Sequence, residues 1–220
     1  MKRIIILSFT VLTTFGIVSG QIPYFDFASQ FGAKQNDYGI DLVSDSNGNV
    51  YLLGVFRDSI DLDNSSASID MHYSNGNTDV FLINYTQDGQ YLWGITIGGT
   101  GNDVATSISI NQQNEVVILG NFENNMDIDP GTDTTLLTGG GLYTVQYNSS
   151  GNLIRGWNII SPLCIGKQII YDNNSDYYYV AGQFAGTVDF DPTLTILQKT
   201  ALNGQDIFMA KYSSITDSCL

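Results

Sequence analysis

"VAGQFAGTVDFDP", residues 180–192, carries a Gly-x-Phe, four spacer residues and two aspartates flanking one apolar residue. The same template, G-x-F-x4-D-Φ-D with Φ apolar, occurs twice more, as "LLGVFRDSIDLD" (52–63) and "ILGNFENNMDIDP" (118–130). Its glycines are Gly54, Gly120 and Gly182, spaced 66 and 62 residues apart. A motif that returns at such a period is first of all architecture, because each copy marks one supersecondary unit.

The surroundings repeat as well. Ahead of each copy runs an alternating stretch with a turn: "GIDLVSDSNGNVY" (39–51), "ATSISINQQNEVV" (105–117) and "KQIIYDNNSDYYY" (167–179). Behind each comes a polar segment and another apolar run, "DVFLINY" (79–85), "GLYTVQY" (141–147) and "DIFMAKY" (206–212). The first two copies continue through "TQDGQYLW" and "NSSGNLIRGW" to Trp93 and Trp157, whereas "SSITDSCL" meets no tryptophan. Period-2 alternation, Val/Ile/Tyr/Phe content and Asn-Gly, Asp-Gly or Ser-Gly turns describe strands joined by hairpins. The spacing allows about four strands per period.

A four-stranded antiparallel unit cannot hide both faces alone, but copies stacked around an axis can. The expected fold is therefore all-β: a β-propeller-like array of about three four-stranded antiparallel repeats, as an incomplete ring or fragment, with repeats near 31–93, 94–157 and 158–220. Small residues such as those of "ATSISI" (105–110) suit the crowded innermost strand, and the Trp-bearing strand suits the outside. The segment "YFDFASQFGAKQNDYG" (24–39) is similar to "YLWGITIGGTGNDVA" (91–105), so an N-terminal strand is available to complete a last blade. Exposed sheet ends would otherwise favour self-assembly.

These residues together resemble the SBBP-type β-propeller repeats of secreted bacterial proteins, often from Bacteroidetes. The resemblance rests on "GGTGNDVATSI" (98–108), "DSNGNVYLLGVF" (45–56), "DFDP" (189–192), "DIFMAKY" (206–212) and "DGQYLW" (88–93), and spans nearly everything after residue 20. It implies a fold rather than a chemistry. Repeat two departs from it, with Gly141 in place of Asp79 and Asp206, and Asn114-Glu115 in place of Gly48-Asn49.

The chain opens "MKRIIILSFTVLTTFGIVSGQ", with the basic, apolar and small-residue regions of a secretory signal peptide cleaved near Gly20/Gln21. The expectation is a 21–220 repeat domain, secreted or at the cell surface. Without residues 1–20 it carries six basic and 22 acidic residues, a net charge of −16. Such a surface disfavours nucleic acid and anionic membranes. No later run reaches the length of a membrane span, so no membrane insertion is expected.

The candidate sites follow from chemistry. Asp61/Asp63, Asp127/Asp129 and Asp189/Asp191 place two carboxylates two residues apart, on one side of a strand. They read first as strand-end turns and second as calcium ligands, calcium needing six to eight oxygens in all. Cys164 and Cys219 are candidates for a disulfide in an oxidising compartment. The single histidine, His72, leaves little room for Ser/His/Asp chemistry and reads as an exposed strand-end residue. Tyr177–Tyr179 reads as inter-blade packing before a sugar platform, and "GGTG" (98–101) lacks the lysine and helix of a phosphate loop. The leading function is a non-enzymatic secreted scaffold for protein or glycan partners, with no catalytic residues and no obligatory cofactor. The alternative is a secreted hydrolase or lyase with a site on the axial face.

Overall fold

A computed structural model of the chain describes residues 27–32, 35–63, 65–216 and 218–219. The signal peptide expected at 1–20 lies outside the described residues. Every regular element among the described residues is a β-strand, and among them no helix is long and apolar enough to cross a membrane.

The first blade is the antiparallel sheet β1 (Tyr38–Ser44), β2 (Val50–Phe56), β5 (Asp79–Tyr85) and β6 (Tyr91–Gly99), in that spatial order. Between β2 and β5 the chain makes a small ladder of β3 (Ser59–Asp61) and β4 (Met71–Tyr73). The second blade repeats the plan with β7 (Val104–Ile110), β8 (Val116–Phe122), β11 (Gly141–Tyr147) and β12 (Leu153–Ile159), and its ladder is β9 (Asn125–Asp127) with β10 (Leu136–Thr138). In the third blade, β13 (Cys164–Asp172), β14 (Tyr177–Asp189) and β15 (Gln198–Ser213) form three strands, the ladder being absorbed into the long β14–β15 pair. The all-β, propeller-like architecture expected from the repeats is thus the observed one.

Strands β1, β7 and β13 pack side by side as the innermost layer. The Trp-bearing β6 and β12 lie on the far side of their sheets from β1 and β7. The two tryptophans are not equivalent: Trp93 pairs with Asn84, whereas Trp157 pairs with Thr144, the counterpart of Leu82. The equivalent positions are Gly94 and Gly156, opposite Ile83 and Val145.

Each inner strand carries the same irregularity, a bulge at Ile40, Thr106 and Lys167 respectively. A bulge bends a strand and increases its twist. The glycine of each G-x-F lies beside it. A Cβ at Gly54 would approach the Tyr38 carbonyl to 2.5 Å, one at Gly120 the Val104 carbonyl to 2.1 Å, and one at Gly182 the Ile165 carbonyl to 2.1 Å.

Burial follows the stacking. One apolar core joins blades one and two through Tyr51, Leu53, Val80 and Leu82 on one side and Ile108, Ile118, Tyr143 and Val145 on the other. A second joins blades two and three through Leu119, Leu142 and Trp157 against Ile169, Val180 and Tyr212. A third, with Phe56, Phe81, Ile83 and Tyr85, lies on the opposite face of blade one, where Phe31 packs against it. Each blade therefore has a leading face turned to its predecessor and a trailing face turned to its successor.

Candidate functional site

Each Asp-x-Asp begins at the last residue of a strand: Asp61 ends β3, Asp127 ends β9 and Asp189 ends β14. The first carboxylate of each pair accepts two backbone N–H groups and closes the loop that follows. Asp61 Oδ1 takes those of Asp63 (3.2 Å) and Asp70 (2.9 Å), Asp127 those of Asp129 (3.1 Å) and Thr135 (3.0 Å), and Asp189 those of Asp191 (3.2 Å) and Leu197 (2.8 Å). The second carboxylate starts a further turn, accepting the N–H of Ser65, Gly131 or Thr193 at 2.8 Å. Asp63 also accepts from the Ser68 hydroxyl, and that bond, the largest cause, lowers its pKa.

The apolar residue between the aspartates is buried in every copy, as Leu62, Ile128 and Phe190. Its carbonyl receives the hydroxyl of a tyrosine at or next to the end of the next long strand: Tyr85 to Leu62 (2.8 Å), Tyr147 to Ile128 (2.7 Å) and Tyr212 to Phe190 (2.9 Å). Burial holds all three phenols protonated, well above their ordinary range. The tyrosine is the partner the sequence reading missed, although it stands last in "DVFLINY", "GLYTVQY" and "DIFMAKY". Aspartate pair and tyrosine form one repeated fastening at the edge of each blade.

A second constellation lies at the axis. Asp41 on β1 accepts the Ser107 hydroxyl (3.2 Å) and the Ile108 N–H (3.1 Å) of β7, and Ser107 in turn accepts Gln168 Nε2 of β13 (2.8 Å). These three residues each follow the bulge of their own strand, so one repeat position links all three blades.

A third is the acidic contact between blades one and two. Asp103 is fully buried and accepts the N–H of Gly99 (2.5 Å) and of Glu123 (3.3 Å). Burial pushes its carboxyl up to about 6, with Asp79 and Glu123 adding to the rise. Asp79, also buried and also raised by burial, accepts Asn75 N–H at 2.9 Å. Gly98 makes room for it, since a Cβ there would stand 2.3 Å from the Asp79 carboxyl carbon. "GGTG" thus spans the end of β6 and the start of the connector to blade two, and its glycines serve close packing.

His72 is not at an exposed strand end. It occupies the middle of β4, half-buried, with Nδ1 3.0 Å from Thr96 Oγ1 and Nε2 3.1 Å from Asp70. In "YYY", Tyr178 is buried between blades and accepts Trp157 Nε1–H at 2.8 Å, while Lys211 Nζ lies 3.9 Å from the Tyr177 ring centre and 5.8 Å from that of Tyr179. Cys164 and Cys219 pack into the same core beside Tyr212. Burial pushes the Cys164 thiol up to about 12. Among the described residues no three Asp, Glu, His or Cys side chains converge in a metal-ligating arrangement.

No family model matches the chain. It is 21% identical over 224 aligned positions to an uncharacterized WD repeat-containing protein, L264, of Acanthamoeba polyphaga mimivirus, covering 87% of this chain and 15% of that relative. The present chain thus spans a small part of the protein it matches. Fold and likeness together are those of a propeller-type repeat protein.

Proposed function

We propose that the chain is a secreted, non-enzymatic repeat scaffold of the SBBP type that presents its blade surfaces to protein or glycan partners outside the cell. The observation that carries this reading is where the repeated polar groups are used. All six aspartates of the three pairs accept hydrogen bonds from their own loops, and the axial Asp41–Ser107–Gln168 chain joins blade to blade. Repeat chemistry is spent on holding a surface in place, which is what an array that binds partners requires. The likeness to a WD repeat-containing protein supports the same reading, for an interaction scaffold. Export supplies an oxidising compartment, in which Cys164 and Cys219, gathered in one core, pair as a disulfide; thiol titration of the unfolded, unreduced protein tests this.

The test is a glycan array and a panel of secreted and surface proteins probed with the purified chain, alongside glycoside, ester and uronide substrates. Saturable retention without turnover is the expected result. Turnover abolished by changing an axial-face residue would establish the hydrolase or lyase reading instead. The reading also includes association through open sheet ends.

A further inference from the structure

Three copies of one blade separate what the architecture requires from what it does not, since a position that changes character between copies is not fixed by the fold. The second strand of the small ladder holds such positions. Its copies are aligned by the N–H that each first aspartate accepts across the loop, from Asp70, Thr135 and Leu197. Around it the outward positions are Ile69, Met71 and Tyr73 in blade one and Thr134, Leu136 and Thr138 in blade two. In blade three they are Ile196, Gln198 and Thr200. Only blade one is apolar or aromatic at all three, and there they are 75%, 41% and 69% exposed. Asp70 and His72 between them turn inward to Tyr91 and Thr96 of β6, which sets the stripe on the opposite face.

The stripe does not owe its exposure to the lack of a blade in front of it. Blade two has blade one in front, and Thr134, Leu136 and Thr138 are exposed all the same. There the rim strand β6 of blade one pairs with β9, at Gly98 with Asp127 and Gly99 with Met126, and among the described residues β10 pairs with β9 alone. By the same geometry, a blade standing before blade one would pair with β3 and leave β4 open.

The open edge is also a backbone feature. Leu62 donates its N–H to the Asp70 carbonyl and Ser74 donates its N–H to the Asp58 carbonyl, so Asp70, His72 and Ser74 turn their backbone groups toward β3. The N–H and C=O of Met71 and Tyr73 face the open side, where an added strand would meet them. Charge then selects the partner. No lysine or arginine occurs between Arg57 and Arg155, a span that holds twelve aspartates and glutamates. Asp61 stands opposite Met71 on the face of the stripe, with Oδ1 taking both of its loop bonds, and half-buried Asp70 stands on the other face. The Asp70 position is open beside a preceding blade as well, since its counterpart Thr135 is exposed.

Building on the scaffold reading, we propose that β4 is a docking edge for an extended segment of a partner protein, apolar on one face and bearing lysine or arginine on the other. The segment adds as a third strand to the β3–β4 ladder. Backbone bonds to Met71 and Tyr73 supply the pairing, and side chains beside the stripe supply the selectivity. Residues two apart in a strand share a face, so the apolar ones lie beside Ile69, Met71 and Tyr73 while the alternate, basic ones lie on the side of Asp70. The surrounding acidic rim attracts them.

The probe is a fluorescent heptapeptide of alternating lysine and valine, titrated into the purified chain by anisotropy beside lysine–serine and glutamate–valine peptides of the same length. Saturable binding of the lysine–valine peptide is expected, with each control weaker by about tenfold, and added salt should weaken it. Hydrogen exchange should show the amides of Met71 and Tyr73 protected in the complex. The triple change Ile69→Thr, Met71→Gln and Tyr73→Thr installs residues that blades two and three carry at the same places. It should weaken binding about tenfold with circular dichroism and melting as in the wild type. Equal binding of the lysine–serine peptide, a triple variant that binds as well, unprotected amides or no binding at all would each overturn the proposal. A glycan-array signal that the triple variant loses would assign the stripe to a sugar, overturning the docked strand while upholding the scaffold reading. That reading is otherwise decided by the wild-type chain on the arrays and protein panel, whatever this peptide does.

Discussion

At the scale of single residues, the repeated tyrosine is the clearest case of structure explaining sequence. Tyr147 is buried and its hydroxyl is the partner of the Ile128 carbonyl at the turn after β9. Tyr147→Phe removes the donor and leaves a buried carbonyl without it, a loss of about 1–3 kcal/mol, to be read from urea unfolding. The aspartates were visible from their spacing, but their partners were not, because a hydroxyl reaching 19 residues back leaves no local pattern. Asp103 makes a pH prediction. Its folded pKa, about 6, lies above that of an unfolded aspartate near ~4. The folded state therefore binds the proton more tightly, and the buried charge is a penalty at pH 7 that fades as pH falls through about 6. The melting temperature should rise between pH 7 and pH 5, and Asp103→Asn should reduce that rise, Asp79 supplying the remainder. A variant with the wild-type pH slope would show that Asp103 does not carry the effect.

At the scale of elements, alternation and turn residues were enough to place the long strands, their order from axis to rim and the loops that begin at Asp-x-Asp. Register was less legible. Matching Trp93 to Trp157 by eye shifts β12 by two residues, because the close approach of Gly94 to Leu62 and of Gly156 to Ile128 sets the register, not the aromatic ring. The small ladders β3–β4 and β9–β10 are three residues per strand, too short for alternation to announce. The bulges at Ile40, Thr106 and Lys167 were likewise invisible, yet they position the residues that link the inner strands. Ser107→Ala cuts that link in the middle, taking a donor from Asp41 and an acceptor from Gln168. The expected cost is about 1–2 kcal/mol, measured by chemical denaturation. Asp41 retains the Ile108 N–H, so the blade contact should loosen rather than part.

At the scale of the whole molecule, nearest-neighbour stacking repeats without stating how often, so the sequence specified the blade and its two faces while leaving the number in the ring open. The acidic balance was read directly from composition, and its link to calcium is testable on the intact protein. The first carboxylate of every Asp-x-Asp already accepts two N–H groups, so chelation with EDTA should leave the melting temperature unchanged. A fall on chelation, restored by added calcium, would instead make the loops cation sites. The four-residue connectors have a consequence for inheritance. Each ties the rim strand of one blade to the axial strand of the next, so the unit of sequence and the unit of structure are out of phase. A duplication or deletion of one 62- to 66-residue period, with breakpoints anywhere in the gene, adds or removes one blade's worth of strands and leaves every remaining strand a neighbour of the right kind. Arrays of this design can lengthen or shorten by recombination at any point along the chain, with no need for a privileged cutting site.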